Sequence, residues 1–216
     1  MIFKKKIITP DKIDWYQEPQ QLVLQDARQL PLDNNYQPRH TLVVFIGGAM
    51  DDVYGPVLQG VFIPYRLRNA QQQDIAYATH GSVRAIVELV GRWHKAGKKI
   101  VLVGHSWGAN SAMRVARNLE TTCQIELLVT LDAVSRRLPG KQIHKPGTVK
   151  QWLNIYIDYR KASMEYSNTV ARLGGYWGYC RHADENIRLS RDGAEEVTHA
   201  QAARMFREVA DRVQVV

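Results

Sequence analysis

From residue 41 onward, short continuous apolar runs alternate with stretches in which apolar residues recur at helical spacing. The continuous runs, which are typical of buried parallel strands, are 42–46, 100–103, 125–131 and 152–157. Asp74–Thr79 and Asn186–Leu189 are weaker strand candidates. The connections 49–73 and 133–150 are long, and long loops in compact domains tend to be functional. Strands that alternate with helices pair in parallel and are covered by helices on both faces, so the pattern predicts an α/β fold.

Helical spacing occurs in three stretches. The first begins at Val83, where Ser82 can act as the N-cap, and Gly97 marks its end. The second follows the strand 100–103 and reaches about Leu119. The third is a single C-terminal helix, whose apolar side is formed by Ala202, Met205, Phe206, Val209 and Val213.

With 216 residues, the chain has the length of one domain. Residues 1–40 are polar, with one apolar run at Leu22–Leu24, and we expect them to form a peripheral segment with a strand or two. Hydrophobic residues make up 45% of the chain, which is enough for a core that needs neither disulfides nor a structural metal. We therefore expect Cys123 and Cys180 to be free thiols.

The formal net charge of +8 predicts a surface that attracts polyanions. The basic residues are spread along the chain and no nucleic-acid-binding motif is present, so no nucleic-acid partner is expected. A solvated basic surface is the simpler interpretation of the charge, and an anionic membrane surface as a partner is the more specific one. Nothing in the composition favours one oligomeric state.

Residues 1–15 contain lysines but neither an apolar core nor a small-residue cleavage site, so no signal peptide is predicted. No apolar run approaches 18 residues, so no transmembrane helix is predicted either. We expect a cytoplasmic protein, with export by a route that needs no signal peptide as the alternative.

The chemically most informative stretch is 104–108, Gly-His-Ser-Trp-Gly, which fits the pattern G-x-S-x-G. It follows the strand 100–103 directly and opens the helix that reaches Leu119. Such a tight turn strains the backbone of the serine and lifts its hydroxyl out at the carboxyl edge of the sheet. Side chains at the two glycine positions would collide with the neighbouring strand and helix. The pattern predicts that Ser106 is a nucleophile.

This motif in this context resembles the α/β-hydrolase superfamily, in particular its small bacterial lipase-like and thioesterase-like members. The resemblance covers roughly Thr41 to the C-terminus. It implies an α/β-hydrolase fold with a mostly parallel central sheet, helices on both faces and a minimal lid. It also implies the chain order nucleophile, acid, histidine. No spacing of His, Cys and Asp suggests a metal, and no nucleotide-binding motif is present, so neither a metal nor another cofactor is expected.

A serine hydroxyl is a weak nucleophile at neutral pH and needs a neighbouring base. In the family's order this base follows the last strand, where the sequence has His199. Thr198 and Gln201 form a capping-box pattern, which predicts that Thr198 caps the last helix and that His199 is its first residue. A helix N-terminus disfavours an imidazolium, so a buried carboxylate must compensate when His199 takes up the proton.

Two aspartates at strand ends are candidates for this carboxylate. Asp132 ends the strand that follows the nucleophile helix, and Asp158 ends the next one, so both lie at the same edge of a parallel sheet. Many superfamily members take the acid from the later strand, which favours Asp158, whereas thioesterase-like members have it where Asp132 stands. A surface ion pair with the following Arg160 is an alternative role for Asp158, so Asp132 is preferred. Asp184 is a third candidate.

Two backbone N–H groups are needed to hold the oxyanion. The first is expected from Trp107, the residue after the nucleophile. By resemblance to the family's His-Gly-x loop, the second is expected from Ala49, with Gly48 as the next choice. Gly47 stands where the family has the histidine.

Two nearby groups have open roles. Asp51 and Asp52 follow the oxyanion loop and are expected to solvate it, with binding of polar substrate groups as the alternative. The aromatic cluster Tyr176–Tyr179 either lines an acyl pocket or packs beneath a loop.

The sequence thus predicts a hydrolase that cleaves carboxylic esters or thioesters, with a lipid or other small acyl ester as substrate. An acyltransferase with the same triad is one alternative. A non-catalytic binding protein of the same fold, in which the acid or base is misplaced, is the other.

Overall fold

The computed structural model describes residues 7–11, 36–119, 123–135, 142–192 and 195–216. The strands are β1 (Ile7–Ile8), β2 (Thr41–Gly47), β3 (Asp74–Thr79), β4 (Lys99–His105), β5 (Ile125–Leu131), β6 (Val149–Ile157), β7 (Glu185–Leu189), β8 (Arg191–Asp192) and β9 (Glu195–Glu196). All six strands predicted from the apolar pattern are therefore confirmed. The apolar run Leu22–Leu24 lies outside the described residues.

The helices are α1 (Asp51–Tyr54), α2 (Ile63–Asn69), α3 (Val83–Lys95), α4 (Trp107–Asn118), α5 (Tyr166–Gly174), α6 (Ala202–Arg207) and α7 (Ala210–Gln214). A π-helical turn at Leu58–Phe62 precedes α2, and a 3₁₀ turn at His80–Ser82 precedes α3.

Seven strands form one sheet in the order β1-β3-β2-β4-β5-β6-β7. The neighbours from β3 to β7 are all parallel, and the short edge strand β1 pairs antiparallel with β3. The central strand β4 pairs Gly104 with Ile46 of β2 on one side and with Thr130 of β5 on the other. The carboxyl ends of β2, β4, β5 and β6 therefore meet at one edge of the sheet, which we call the carboxyl edge.

Alternate strand residues face two apolar layers, one on each side of the sheet. On the first face, Val43 and Phe45 pack with the π-helical turn, α2 and α6, and Phe45 meets Phe206 edge-on with ring centroids 5.4 Å apart. On the second face, Leu42 and Val44 pack with α3 and α4. The predicted architecture, a mostly parallel sheet with helices on both faces, is confirmed.

Two predictions about the helices are wrong in part. The connection 49–73 is largely helical, since α1, the π-helical turn and α2 lie within it. Its buried Val57, Leu58, Val61 and Phe62 recur at helical spacing, but Gly and Pro residues interrupt the pattern. The C-terminal helix is divided at Val209, whose φ of −131° is not helical, although all five predicted apolar residues are buried.

The ends of α3 illustrate a partial success. Gly97 follows the helix with a φ of +74°, the left-handed conformation expected of a glycine at a helix end. Ser82 stands at the N-cap position but makes no side-chain cap, and its hydroxyl lies 3.1 Å from that of Thr79 instead.

Cys123 and Cys180 are free thiols, as expected, and both are buried. Burial raises the pKa of Cys123 to about 11 and that of Cys180 to about 12, so both thiols stay protonated and unreactive at neutral pH. Within the described ranges, no helix combines the length and the apolarity needed to cross a bilayer.

Candidate active site

Ser106 occupies a strained turn between β4 and α4. Its φ of 57° and ψ of −126° lie outside the regions that non-glycine residues normally adopt. The turn is held from both sides, because the backbone N–H of Ser106 donates to the carbonyl of Leu131 at 3.0 Å and its carbonyl accepts from Ala109 at 3.1 Å. The strand-to-helix turn predicted for the G-x-S-x-G stretch is therefore present.

The two glycines of the motif are required by close backbone approach. A Cβ on Gly104 would lie 2.5 Å from the carbonyl oxygen of Gly108. A Cβ on Gly108 would lie 2.1 Å from the carbonyl oxygen of Ile46 in β2. Neither neighbour can move, since both are main-chain atoms, and any larger residue would push α4 away from the sheet.

The structure brings His199 against the serine. The Nε2 atom of His199 lies 2.9 Å from Oγ of Ser106, and both residues are buried. His199 lies in the turn that precedes α6, which begins at Ala202, so the expectation that it is the first helical residue is wrong. Gln201 does accept from the backbone N–H of Thr198 at 2.9 Å, which is one half of a capping box, but the residues between them form a turn.

Two side chains hold the main chain of His199. Its backbone N–H donates to Oδ1 of Asn168 in α5 at 2.9 Å, and its carbonyl lies 2.8 Å from Nε2 of His105. Burial and the adjacent His199 lower the pKa of His105 to about 3, so its ring is neutral at physiological pH. Because a carbonyl only accepts, the proton of the neutral His105 ring lies on Nε2 and is donated to His199.

The acid beside the histidine is Asp132. Its Oδ2 lies 2.6 Å from Nδ1 of His199. Asp132 has a φ of 42° and is 1% exposed, and its Oδ1 accepts from the backbone N–H of Ile157 at 3.2 Å. Its Oδ2 also accepts from the hydroxyl of Tyr159, which lies just beyond β6. The carboxylate directly follows β5, and it is held by two donors from the last residue of β6 and from the segment just beyond it.

The other two aspartates serve elsewhere. Asp158 accepts from Nε of Arg160 at 3.1 Å and lies 3.7 Å from Arg188, so the alternative that it is the acid is not supported by its contacts. The hydrogen bonds from Arg160 lower the pKa of Asp158. Asp184 accepts from Nζ of Lys145 at 2.8 Å.

Gly48 of the predicted oxyanion loop lies directly against the serine. A Cβ on Gly48 would be 2.8 Å from Cβ and 3.2 Å from Oγ of Ser106. The carbonyl of Gly48 lies 3.0 Å from Nδ1 of His80. Gly48 is buried and Ala49 is exposed, and Trp107 begins α4 immediately after the serine. The loop and the helix N-terminus thus border the hydroxyl together, which is the arrangement that an oxyanion hole needs.

Asp51 does not solvate this loop, because it is 2% exposed. Its carboxylate accepts from the backbone N–H of Val57 at 2.6 Å, from that of Leu58 at 3.1 Å and from the hydroxyl of Tyr77 at 2.5 Å. Burial raises the pKa of Asp51. The expectation is wrong for Asp51, since its polar partners lie inside the protein and tie the start of the π-helical turn to β3.

The aromatic cluster Tyr176–Tyr179 packs partly in the interior and lines a cleft at the end of β6. Trp177 is buried in the second apolar layer and meets Trp152 edge-on at 6.5 Å. Tyr176 packs edge-on against Tyr159 at 4.7 Å, and together with Tyr179 both line a cleft of about 660 Å³. Across the described residues, no group of three His, Cys, Asp or Glu side chains could hold a metal ion.

Neither a protein-family model nor a curated protein sequence matches the chain significantly. Solved structures do match. An α/β serine hydrolase homologue from Coxiella burnetii is 10% identical with a TM-score of 0.51, over 83% of this chain and 88% of that one. The protein of unknown function ATU1826 from Agrobacterium tumefaciens is 13% identical with a TM-score of 0.50, over 82% of this chain and 88% of that one. The chain has the α/β-hydrolase fold.

Within this α/β-hydrolase fold, three residues that support the site are not singled out by the sequence. Asn168 and Tyr159 lie in segments without a recognisable pattern, and only the fold brings them to His199 and Asp132. His105 is visible as part of the G-x-S-x-G stretch, but its contact with His199 spans 94 residues. No local signal could have indicated these contacts.

Proposed function

We propose that this chain is a serine hydrolase that cleaves carboxylic esters or thioesters through an acyl-enzyme on Ser106. The observation that carries the proposal is the continuous line of hydrogen bonds from Ser106 through His199 to Asp132, with lengths of 2.9 Å and 2.6 Å. Nucleophile, base and orienting acid at these distances, on a strained turn, are the arrangement that activates a serine. One of the solved structures with a similar fold is named as a serine hydrolase homologue, which agrees with this assignment.

In the first half of the reaction, His199 acts as the base. Its Nε2 accepts the proton of Ser106 as Oγ forms a bond to the carbonyl carbon of the substrate. Asp132 keeps the other ring nitrogen protonated and stabilises the imidazolium that results. His199 then returns the proton to the leaving oxygen or sulfur, and Ser106 remains acylated.

The negative oxygen of the tetrahedral intermediate needs donors at the same place. The backbone N–H of Trp107 at the start of α4 supplies the first, and the second comes from the loop at Gly48 and Ala49, which packs on Ser106. Water, activated by His199, releases the acyl group in the second half of the reaction.

A lipid ester is the substrate that the surface around Ser106 favours. The helices α1 and α5 follow β2 and β6, which lie on opposite sides of β4 in the sheet, so they border the carboxyl edge on either side of the nucleophile. Most of the exposed large apolar side chains among the described residues lie on or next to these two helices, namely Val53, Tyr54, Met164, Tyr166, Val170 and Leu173. Tyr166 is 82% exposed and Leu173 is 84% exposed. A concentration of such residues at one edge is typical of an interaction surface.

The charge agrees with an anionic lipid surface as the partner. The chain carries a net charge of +8, and the exposed Arg160 and Lys161 lie between β6 and α5. Anionic headgroups would attract these cations while the apolar side chains enter the interface.

The proposal is tested by assaying p-nitrophenyl esters, phospholipids and acyl thioesters with the whole chain. Ser106→Ala and His199→Ala should each lower kcat by at least about 10³-fold, because each removes a member of one catalytic unit. Ser190→Ala, which removes an exposed serine hydroxyl just after β7, is the matched control and should stay near wild type. Turnover that survives in Ser106→Ala would contradict the proposal, and transfer of the acyl group to an added alcohol instead of water would assign an acyltransferase.

A further inference from the structure

We propose that Tyr159 is a positioning residue that sets the proton affinity of His199 through Asp132. The inference rests on the proposed function, since it assigns a role in the same site. Among the described residues, the hydroxyl of Tyr159 donates to Asp132 and makes no hydrogen bond to Ser106 or His199, so its influence on the base passes through the carboxylate.

The geometry places two donors on one oxygen. Oδ2 of Asp132 accepts from Nδ1 of His199 and also from the hydroxyl of Tyr159. The remaining oxygen, Oδ1, accepts from the backbone N–H of Ile157. The hydroxyl of Tyr159 and the imidazole therefore compete for the same negative charge, and each bond weakens when the other strengthens.

Tyr159 is fixed in this orientation from several sides. Its side chain is buried, and its ring meets Tyr176 edge-on and lies beneath the guanidinium of Arg172 at 5.2 Å. Arg172 also donates to the carbonyls of Tyr159 at 2.9 Å and Ala162 at 2.7 Å, which holds the turn after β6. Burial beside Asp132 raises the pKa of Tyr159, so the phenol stays protonated and remains a donor throughout the working pH range.

The direction of the effect follows from this competition. A donor on Oδ2 draws off part of the charge with which Asp132 would stabilise an imidazolium, so the hydroxyl of Tyr159 weakens the attraction of Asp132 for the proton that His199 takes up. In the described part of the chain, the other titratable groups that face His199 are His105 from β4 and Glu165, the N-cap of α5. Removal of the phenol hydroxyl takes a hydrogen bond from Asp132 and from neither of these two groups.

Tyr159→Phe is the direct test, because it keeps the ring and removes only the hydroxyl. We expect the rise of kcat/KM with pH to move upward by roughly half a pH unit to one unit, since the unopposed carboxylate holds the proton on His199 more tightly. Tyr156→Phe removes a hydroxyl from the same end of β6, where the charged neighbours are Arg188, Asp158 and Arg160, and its profile should match wild type. A loss of activity in Tyr159→Phe that is equal at every pH, or an unchanged profile, would overturn the inference.

A second substitution reverses the sign while preserving the packing. A 3-fluorotyrosine at position 159 has a more acidic phenol and donates a stronger hydrogen bond to Asp132. The rise of kcat/KM with pH should therefore move to lower pH in this variant. Opposite shifts in the two variants are expected only if the hydroxyl acts through its hydrogen bond. Shifts in the same direction would indicate altered packing and would overturn the inference.

A readout without substrate separates this inference from the proposed function. The imidazole signals of His199, assigned by their loss in His199→Gln, can be followed by NMR against pH in the full chain. The midpoint of His199 protonation should rise in Tyr159→Phe whether or not an ester is hydrolysed. If the midpoint moves but no substrate is cleaved, the proposed function fails and the coupling stands; if hydrolysis requires Ser106 but the midpoint does not move, only the coupling fails.

Discussion

The Nδ1 atom of His199 lies 2.6 Å from Oδ2 of Asp132, although 67 residues separate them in the chain. Asp132 directly follows β5, the strand next to the one that carries Ser106. The carboxylate beside His199 thus follows the neighbouring strand, and the end of β6 and Tyr159 supply hydrogen-bond donors to it. Serine, aspartate and histidine are far apart in the chain. They meet in one line of hydrogen bonds because the parallel strands end at the same carboxyl edge of the sheet.

The two aspartates should differ sharply in a substitution test. Asp132→Asn leaves the shape of the site intact but offers His199 an amide in place of a charge, so kcat should fall by about 10³–10⁴-fold. Asp158→Asn breaks the contact with Arg160 outside the line of hydrogen bonds and should change kcat less than about threefold. Steady-state kinetics on one soluble ester compares them. A greater loss in Asp158→Asn would show that the acid is assigned to the wrong strand.

The turn glycine should be needed for stability. Gly108→Ala places a Cβ 2.1 Å from the carbonyl oxygen of Ile46, so we expect the free energy of unfolding to fall by about 3 kcal/mol or more. Gly91→Ala, in the helix α3, meets no atom within 4 Å and should raise it by about 0.5–1 kcal/mol. Urea unfolding measures both variants, and similar stabilities for the two would contradict the close approach of α4 to β2.

The buried Asp51 should make stability depend on pH. Burial raises its pKa in the folded state above the ordinary 3.8, so between these two values the folded chain binds the proton more tightly than the unfolded chain. The protonated Asp51 therefore adds to the free energy of unfolding. This contribution is fully present below about pH 4 and is lost as the pH rises through the folded-state pKa of Asp51, by up to about 1.4 kcal/mol per pH unit.

Asp51→Asn removes this dependence and so isolates it. The difference in unfolding free energy between wild type and Asp51→Asn should shrink as the pH rises from about 4, then level off. Asp52→Asn, which removes the neighbouring half-exposed carboxylate, is the control. A difference that grows with pH would mean that Asp51 is stabilised in its charged form.

The exposed apolar side chains of α5 should determine binding to lipid. Replacing Tyr166 and Leu173 together by Glu adds negative charge and removes two apolar contacts, so binding to vesicles that contain anionic phospholipid should weaken by at least about 10-fold. Leu67→Glu changes a 60% exposed leucine on α2 and serves as the control. Vesicle co-sedimentation gives the result, and equal binding by both variants would exclude α5 as the docking surface.

The parts of the fold that the sequence predicts well are those that depend on local pattern. The strand 100–103 and the turn around Ser106 are recognised because a buried apolar run, a glycine pair and a helix follow one another within a few residues. His199 and Asp132 could be named because the order of elements places strand ends at one edge; in the structure His199 reaches the serine and Asp132 reaches His199.

The remaining features depend on contacts that no local pattern contains. The Gly and Pro content of segment 49–73 is typical of a loop, yet Asp51 organises the segment by accepting from the amides of Val57 and Leu58 inside the protein. Asn168 reaches His199 across 31 residues. The positions of Asp51 and Asn168 depend on the folded structure, because each of these polar side chains bonds to backbone groups that only the fold brings near.

The most direct test of the account is covalent labelling of the whole chain with a fluorophosphonate, followed by peptide mass analysis. An activated serine should give one adduct, located on Ser106, that is absent in Ser106→Ala and forms about 10³-fold more slowly in His199→Ala. An unlabelled wild-type chain, or an adduct on another residue, would contradict the claim that Ser106 is activated by His199.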